Sequence, residues 1–463
     1  SERRITRVRA AVKAPGEARA DWAIANEFAV RLGRALGDMR AEKLFPYTTP
    51  ESVFNEHRES TRGRDLDITG LSYAMLESAG PQQWPLREGE SRGRERLYAD
   101  GHFATASGRA KFVVARYRAA VEKADARYPL ALNTGRLRDQ WHGMSRTGTI
   151  ARLFNHAAEP RLSMNHRDMS RRRLKDGDIA RLKSRRGELV VRVEASEQMR
   201  SGQVFMPMHW GSQFMRGAGV NTLTVSNFDP VSKQPELKHA VIEVEAVDLP
   251  FRVVAMRRIE AGAAQGVQAL RDALQPLMSA FDYATLTLGG RDNPVVMLHG
   301  YAAVPIDDAV LDRLDQLFDL ADATRTMRYV DARRRVEKSA LVDGGVVQSV
   351  CLSGETVAQE WLKNMMAEGA PADAVRAWIL APLSAPPRGS FNRGRIVCNC
   401  LDVAETEIRS VLAGGAGLAQ LQEKLKCGTE CGSCVPELKR LCEKQDAGLR
   451  IEDSGKGVVA AAA

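Results

Sequence analysis

Cys398 and Cys400 form a C-x-C pair, and Cys431 and Cys434 form a C-x-x-C pair, so four thiols stand on two short chelating loops. With Cys427 and Cys442 they place six of the chain's seven cysteines between 398 and 442. Four thiolates suit zinc or an iron–sulfur centre. An unmetallated thiol pair or a disulfide is the remaining reading, and disulfides are unusual in the cytosol. Short helices must position these loops. Asp402 and Glu405 have the spacing of a helix-start capping box, followed by Ile408, Val411 and Leu412. A second helix carries Leu418, Leu421 and Leu425, and Pro436 suits the first turn of a third, with Leu438, Leu441 and Cys442 facing inward. Helix starts near the pairs aim N–H groups at the sulfurs, and Gly428 and Gly432 let the backbone come close. The seventh cysteine, Cys351 in "QSVCLSGE", falls in a predicted strand as a buried apolar thiol.

A second candidate site lies upstream, in "LALNTGRLRDQWHGMSRTG". A predicted strand ends there in Asn133-Thr134-Gly135-Arg136, a turn that can present backbone N–H groups and a guanidinium to phosphate oxygens. Alone, T-G-R is a common turn, and Trp141 and His142 fit equally well as packed wall residues.

The rest of the 463 residues supplies the scaffold, and the length calls for two to four domains. Residues 1–127 mix helix and loop, with an amphipathic helix in "WAIANEFAVRLGRAL" whose Ile24, Phe28, Leu32 and Leu36 recur every four residues. Residues 128–248 read as short strands, including a hairpin in "DIARLKSRRGELVVRVEAS", and suggest a β-barrel. Residues 249–382 alternate strands ("FRVVAM", "ATLTLGG") with helices ("DDAVLDRLDQLFDL") and end in a hairpin around "LVDGGVV", an α+β module. A Pro/Gly-rich linker over 383–395 precedes a cysteine domain over 396–445, and 446–463 reads as a disordered tail. The fold class is multidomain α+β.

Net charge is +9, but basic residues are interleaved with acids and lack an aromatic–basic pattern, so nucleic acid is not expected. A phosphate-bearing cofactor, a small anion or an acidic electron carrier would use the same charge. Arg171, Arg172 and Arg173 read as a solvated face. No apolar run is long enough for a membrane span and no secretion signal opens the chain, so a cytoplasmic location is expected. The N-terminus begins with Ser and reads as a piece of something longer.

On its cysteine spacing, the C-terminal segment resembles the bacterioferritin-associated-ferredoxin (BFD) type of [2Fe–2S] module, which implies Cys398, Cys400, Cys431 and Cys434 as ligands and leaves Cys427 outside. The "LALNTGRLRDQWHGMSRTG" passage, together with "GQVFMPMHWGSQFMRGAGVNTLTVSNFDPVSKQPELKHA", resembles the molybdopterin-dinucleotide-binding domain of the molybdopterin oxidoreductases. That resemblance implies a six-stranded double-psi β-barrel. It also implies a pocket built by Thr134, Gly135, Arg136, Leu137, Arg138, Asp139, Gln140, Trp141, His142 and Gly143, completed by Asn221 and Lys238, with Gln213 or Phe214 near the pterin. Relatives usually have Thr where Gly143 stands. The passages "VFNEHRESTRGRDLDITGLSYAMLESAGPQQWP" and "RLYADGHFATASGRAKF" resemble the late molybdenum-binding region of bacterial assimilatory nitrate reductases. The 249–382 module resembles the interface domain of flavin-dependent reductases without its flavin half, so a docking role and no FAD are expected.

The resemblance implies molybdenum–bis(molybdopterin guanine dinucleotide), a [2Fe–2S] cluster, and reduction of nitrate to nitrite with a flavoprotein or ferredoxin-type donor. A C-x-x-C-x-x-x-C run for [4Fe–4S] and a protein ligand to molybdenum are absent from these residues and expected in a preceding part. Formate dehydrogenase chemistry, a non-catalytic iron–sulfur scaffold and a zinc module are the competing readings.

Overall fold

The computed structural model describes residues 2–114, 116–260, 264–387 and 393–443. The middle of the expected linker, 388–392, and the expected tail, 446–463, lie outside the described residues. The chain divides into two compact units, Ser1–Arg118 and Ala119–Ala463.

In the first unit the amphipathic pattern forms a helix over Asp21–Ala35. Its apolar face is not packed: Ile24, Phe28, Leu32 and Leu36 are exposed, and the helix instead presses Gly33 against Ala41. A second helix, Pro50–Glu59, starts with proline in its first turn and a reciprocal Thr49–Ser52 cap. Ile68, Leu71, Leu76 and Leu86 form a small core.

The second unit begins with six strands: β1 Leu130–Gly135, β2 Arg161–Met164, β3 Ile179–Lys183, β4 Glu188–Ala195, β5 Gln203–Pro207 and β6 His239–Ala246. They close into a barrel in the order β1-β5-β2-β4-β3-β6. The β3–β4 hairpin is the one expected, while β1–β5 and β2–β4 pair in parallel. Closure leaves no free edge.

Six more strands follow: β7 Phe251–Arg258, β8 Tyr283–Gly289, β9 Val295–Ala302, β10 Thr326–Asp331, β11 Val336–Asp343 and β12 Val346–Ser353. They form one antiparallel sheet in the order β8-β9-β7-β12-β11-β10, and Asp307 caps the expected helix Asp308–Leu317. Alternation along β7 serves two cores, because Val253 and Ala255 join the barrel's residues while Val254 and Met256 meet Trp361, Met365 and Met366 on helix Gln359–Glu368. Cys351 is buried on β12, which raises its thiol pKa far above the ordinary value.

The barrel is bonded to the sheet's edge strand as well as packed on it. Between β5 and β6, Leu286 N donates to Phe214 O (2.8 Å) and Arg216 N to Ala284 O (2.9 Å), so barrel chain extends β8. Beside this seam lies a buried ionic cluster. Glu159 meets Arg192 at 2.7 Å and accepts from Tyr283 Oη (2.7 Å), while Arg192 donates to Tyr301 Oη (2.9 Å).

Candidate cofactor cradle and cysteine site

The loop after β1 is anchored at successive points. Thr134 Oγ1 donates to Leu237 O (2.8 Å), fixing the strand end against the start of β6. A Cβ on Gly135 would meet the Phe205 ring at 2.8 Å, so glycine lets that ring lie against the strand end. Arg136 stacks over Trp141, 5.3 Å from the ring centre, and buried Gln140 bridges Leu153 O and Thr147 Oγ1. His142, Gly143 and Met144 all take positive φ (43°, 61° and 61°). A Cβ on Gly143 would meet open space, so the left-handed backbone rather than crowding disfavours the Thr of relatives.

Gly143, Gln213, Phe214 and Asn221 line one cavity of about 320 Å³. Expected residues some eighty positions apart thus share a wall. Lys238 is exposed next to Leu237, on the Thr134 rim rather than among the lining.

Of the lining residues that were not anticipated, His209 and Trp210 are the informative ones. His209 Nε2 accepts from Leu137 N (3.1 Å), which puts its proton on Nδ1. Burial and the neighbouring Arg136 charge lower its pKa, so the ring is neutral and acts as a latch on the loop. Trp210 is 1% exposed and its Nε1 has no partner, an orphaned donor beside the cavity. Both lie in the passage "GQVFMPMHWGSQF", whose sequence names no role for them. A positively lined turn, an orphaned donor and glycines that admit close approach fit a phosphate-bearing cofactor.

In the C-terminal module Cys398 Sγ stands 3.6 Å from Cys400 Sγ, which stands 3.7 Å from Cys431 Sγ. A disulfide needs about 2.0 Å, so these contacts are not disulfides. Among the described residues no three His, Cys, Asp or Glu side chains gather closely enough to cage a single ion. The thiols instead form a string running from buried Cys398 and Cys434 to exposed Cys400 and Cys431. The Ser433 hydroxyl, 3.1 Å from Cys431 Sγ, and the Ser433 amide hold that thiol below its ordinary pKa. Burial pushes Cys434 up to about 12. The donor set fits an iron–sulfur cluster of more than one iron. Cys427 is fully buried, 3.8 Å from Leu421 O, in the same core as Cys398 and Cys434.

The expected helices are present as Glu405–Ala413 and Leu418–Leu425, with residues 435–443 helical and Pro436 in the first turn. The cap differs from the expected one. Glu407 accepts from Ala404 N (2.7 Å), while Asp402 adopts positive φ and binds Arg393, because the turn after Cys400 delays the helix start by two residues. The basic run 171–173 is also not uniformly solvated. Arg172 is 15% exposed and pairs with Glu243 at 3.1 Å.

Residues 130–241 match the family model described as "Molydopterin dinucleotide binding domain", and residues 396–444 match "BFD-like [2Fe-2S] binding domain". The chain thus carries a molybdopterin-dinucleotide-binding domain followed by a BFD-like [2Fe–2S] domain. It is 32% identical over 470 residues to a nitrate reductase of Klebsiella oxytoca, an alignment covering 95% of this chain and 48% of the relative. It is 38% identical over 251 residues to a nitrate reductase of Synechocystis sp. (53% and 34%). It is also 33% identical over 247 residues to an F420-dependent formate dehydrogenase subunit alpha of Methanocaldococcus jannaschii (53% and 34%). The chain spans at most about half the length of these curated relatives. Among the described residues no helix is long and apolar enough to cross a membrane.

Proposed function

We propose that this chain is part of a molybdenum-dependent nitrate reductase that reduces nitrate to nitrite and receives electrons at its C-terminal cysteines. The carrying observation is alignment extent. The Klebsiella nitrate reductase aligns over 95% of the chain, so the likeness takes in both the cradle and the cysteine module, whereas the Synechocystis nitrate reductase and the formate dehydrogenase each align over 53%.

In this reading Thr134–Gly143, Phe214, Asn221 and Lys238 hold the guanylated pterin, and Cys398, Cys400, Cys431 and Cys434 hold the [2Fe–2S] cluster. When bound, the two groups supply oxygen-atom acceptance at molybdenum and one-electron carriage at iron. The chain itself supplies orientation: His209 fixes the loop amide of Leu137, and the Thr134 bond to Leu237 O closes the rim. A flavoprotein or ferredoxin-type protein is the expected donor and the cytoplasm the expected location. The net charge of +9 suits an anionic substrate and an acidic donor.

The test assays the complete polypeptide with reduced viologen and nitrate, and separately with formate and an acceptor. Nitrate-dependent viologen oxidation is expected, and formate oxidation alone would refute the substrate. In this chain alone, Cys434→Ser should lose iron and visible colour while Cys427→Ser keeps both. A colourless, zinc-containing protein would refute the cluster.

A further inference from the structure

The cofactor loop and the cysteine module touch through a compact set of polar contacts. Arg138, 18% exposed, donates through Nη2 to Val397 O (3.1 Å) and through Nη1 to Ser433 O and Glu437 Oε2 (both 3.4 Å). Val397 immediately precedes Cys398, and Ser433 immediately precedes Cys434. One guanidinium therefore grips the backbone at both cysteine pairs. Its neighbour Asp139, 12% exposed, accepts from Asn399 Nδ2 (2.9 Å), the residue between Cys398 and Cys400. Arg138 Nε closes the set by contacting Asp139 at 3.3 Å. From the other side, Arg395 meets Glu437 at 2.6 Å.

We propose that Arg138 and Asp139 are positioning residues that seat the cysteine module on the cofactor loop, so that electron passage between the two sites depends on this polar joint. The inference rests on reading the four cysteines as cluster ligands. Three acceptors at different angles call for a planar, multi-donor guanidinium, which a lysine ammonium does not replace. Burial of Arg138, Asp139 and Glu437 makes an unmatched member costly, so the seated arrangement is strongly preferred. Arg138 also holds a cation beside an anionic cluster, which favours the reduced form.

The test uses the iron-loaded chain with two readouts: amide hydrogen exchange over 136–141 and 396–399, and the midpoint potential of the cluster. Asn399→Asp opposes two carboxylates and should speed exchange at the joint about tenfold, a change of about 1.4 kcal/mol. Adding Asp139→Asn restores an amide–carboxylate bond with its direction reversed, and exchange should return to that of the unaltered protein. Arg138→Gln, remote in sequence from the cysteines, should speed exchange on both sides and lower the potential. Unchanged exchange in Asn399→Asp, or failure of the paired exchange to rescue it, overturns the proposal. Should Asn399→Asp lose its iron, Arg138→Gln decides, and an unchanged potential with unchanged exchange overturns the joint. An active nitrate reductase with those unchanged readouts would sink this inference alone. A formate-specific enzyme with a responsive joint would sink only the substrate assignment.

Discussion

The cradle has two neighbours, and it is attached to them in different ways. Against the sheet module its attachment is continuous: Phe214 bonds β8, the barrel and sheet share one apolar core, and the buried Glu159–Arg192 pair bonds Tyr283 and Tyr301 across the seam. Against the cysteine module the attachment is polar and local, and that module keeps its own core of Val397, Ile408, Leu421 and Leu438. A cavity of about 470 Å³, lined by Arg291, Lys363, Arg395 and Asp402 among others, undercuts the second attachment. The first neighbour is a wall of the site, whereas the second is a part seated on it. Burial of apolar area stabilises the wall whatever the cofactors do, while a few hydrogen bonds leave seating adjustable.

The comparison breaks first where the wall is removed. Phe214 is buried among Phe154 and Trp210 and lies under Arg271, whose guanidinium is 4.4 Å from its ring centre. Phe214→Ala should cost about 3–5 kcal/mol, read by denaturant unfolding, and loosen barrel and sheet together.

Next comes the buried charge. Glu159 lies at about 2, below its ordinary 4.5: burial pushes it up, but the Arg192, His299 and Arg161 charges and the Tyr283 hydrogen bond together outweigh that cost. A depressed carboxylate stabilises the fold above its unfolded pKa, and that contribution is lost as pH falls through the folded value. Stability should therefore decline between about pH 5 and pH 2, by about 3 kcal/mol from this group. Glu159→Gln should flatten that decline and destabilise the neutral-pH protein by about 3–5 kcal/mol, because Arg192 is left buried without its counter-charge.

A smaller effect sharpens the picture at the rim. Thr134→Val removes the donor to Leu237 O and should cost about 1 kcal/mol in thermal unfolding, with weaker retention of the dinucleotide. The exposed Lys183–Glu245 pair, at 2.7 Å, sets the floor, and Lys183→Ala should change stability by less than about 1 kcal/mol.

Sequence spacing carried the cysteine pairs, both hairpins and the strand-rich barrel, because each is written in local periodicity or in residue types with one chemistry. Helix Asp21–Ala35 was equally legible, but what its face meets was not, since the pattern of Ile24, Phe28 and Leu32 says only that one side is apolar. His209 escaped because its role arises from a contact to Leu137, about seventy positions away, and Trp210 because its role lies in a buried Nε1 left without a partner, which no local pattern shows. Arg138 and Asp139 read as cofactor-loop residues. Their bonds to Val397 and Asn399 span some 260 positions, which no local pattern encodes.

All six tryptophans lie outside the 396–443 module, so their fluorescence reports on the rest of the chain, while visible absorbance reports on the cysteine site. The decisive measurement follows both signals through one denaturant titration of the iron-loaded protein. Bleaching at lower denaturant than the fluorescence change is the predicted result, with the sheet and barrel unfolding together afterwards. Coincident transitions would contradict a separately folded electron module seated on the cradle.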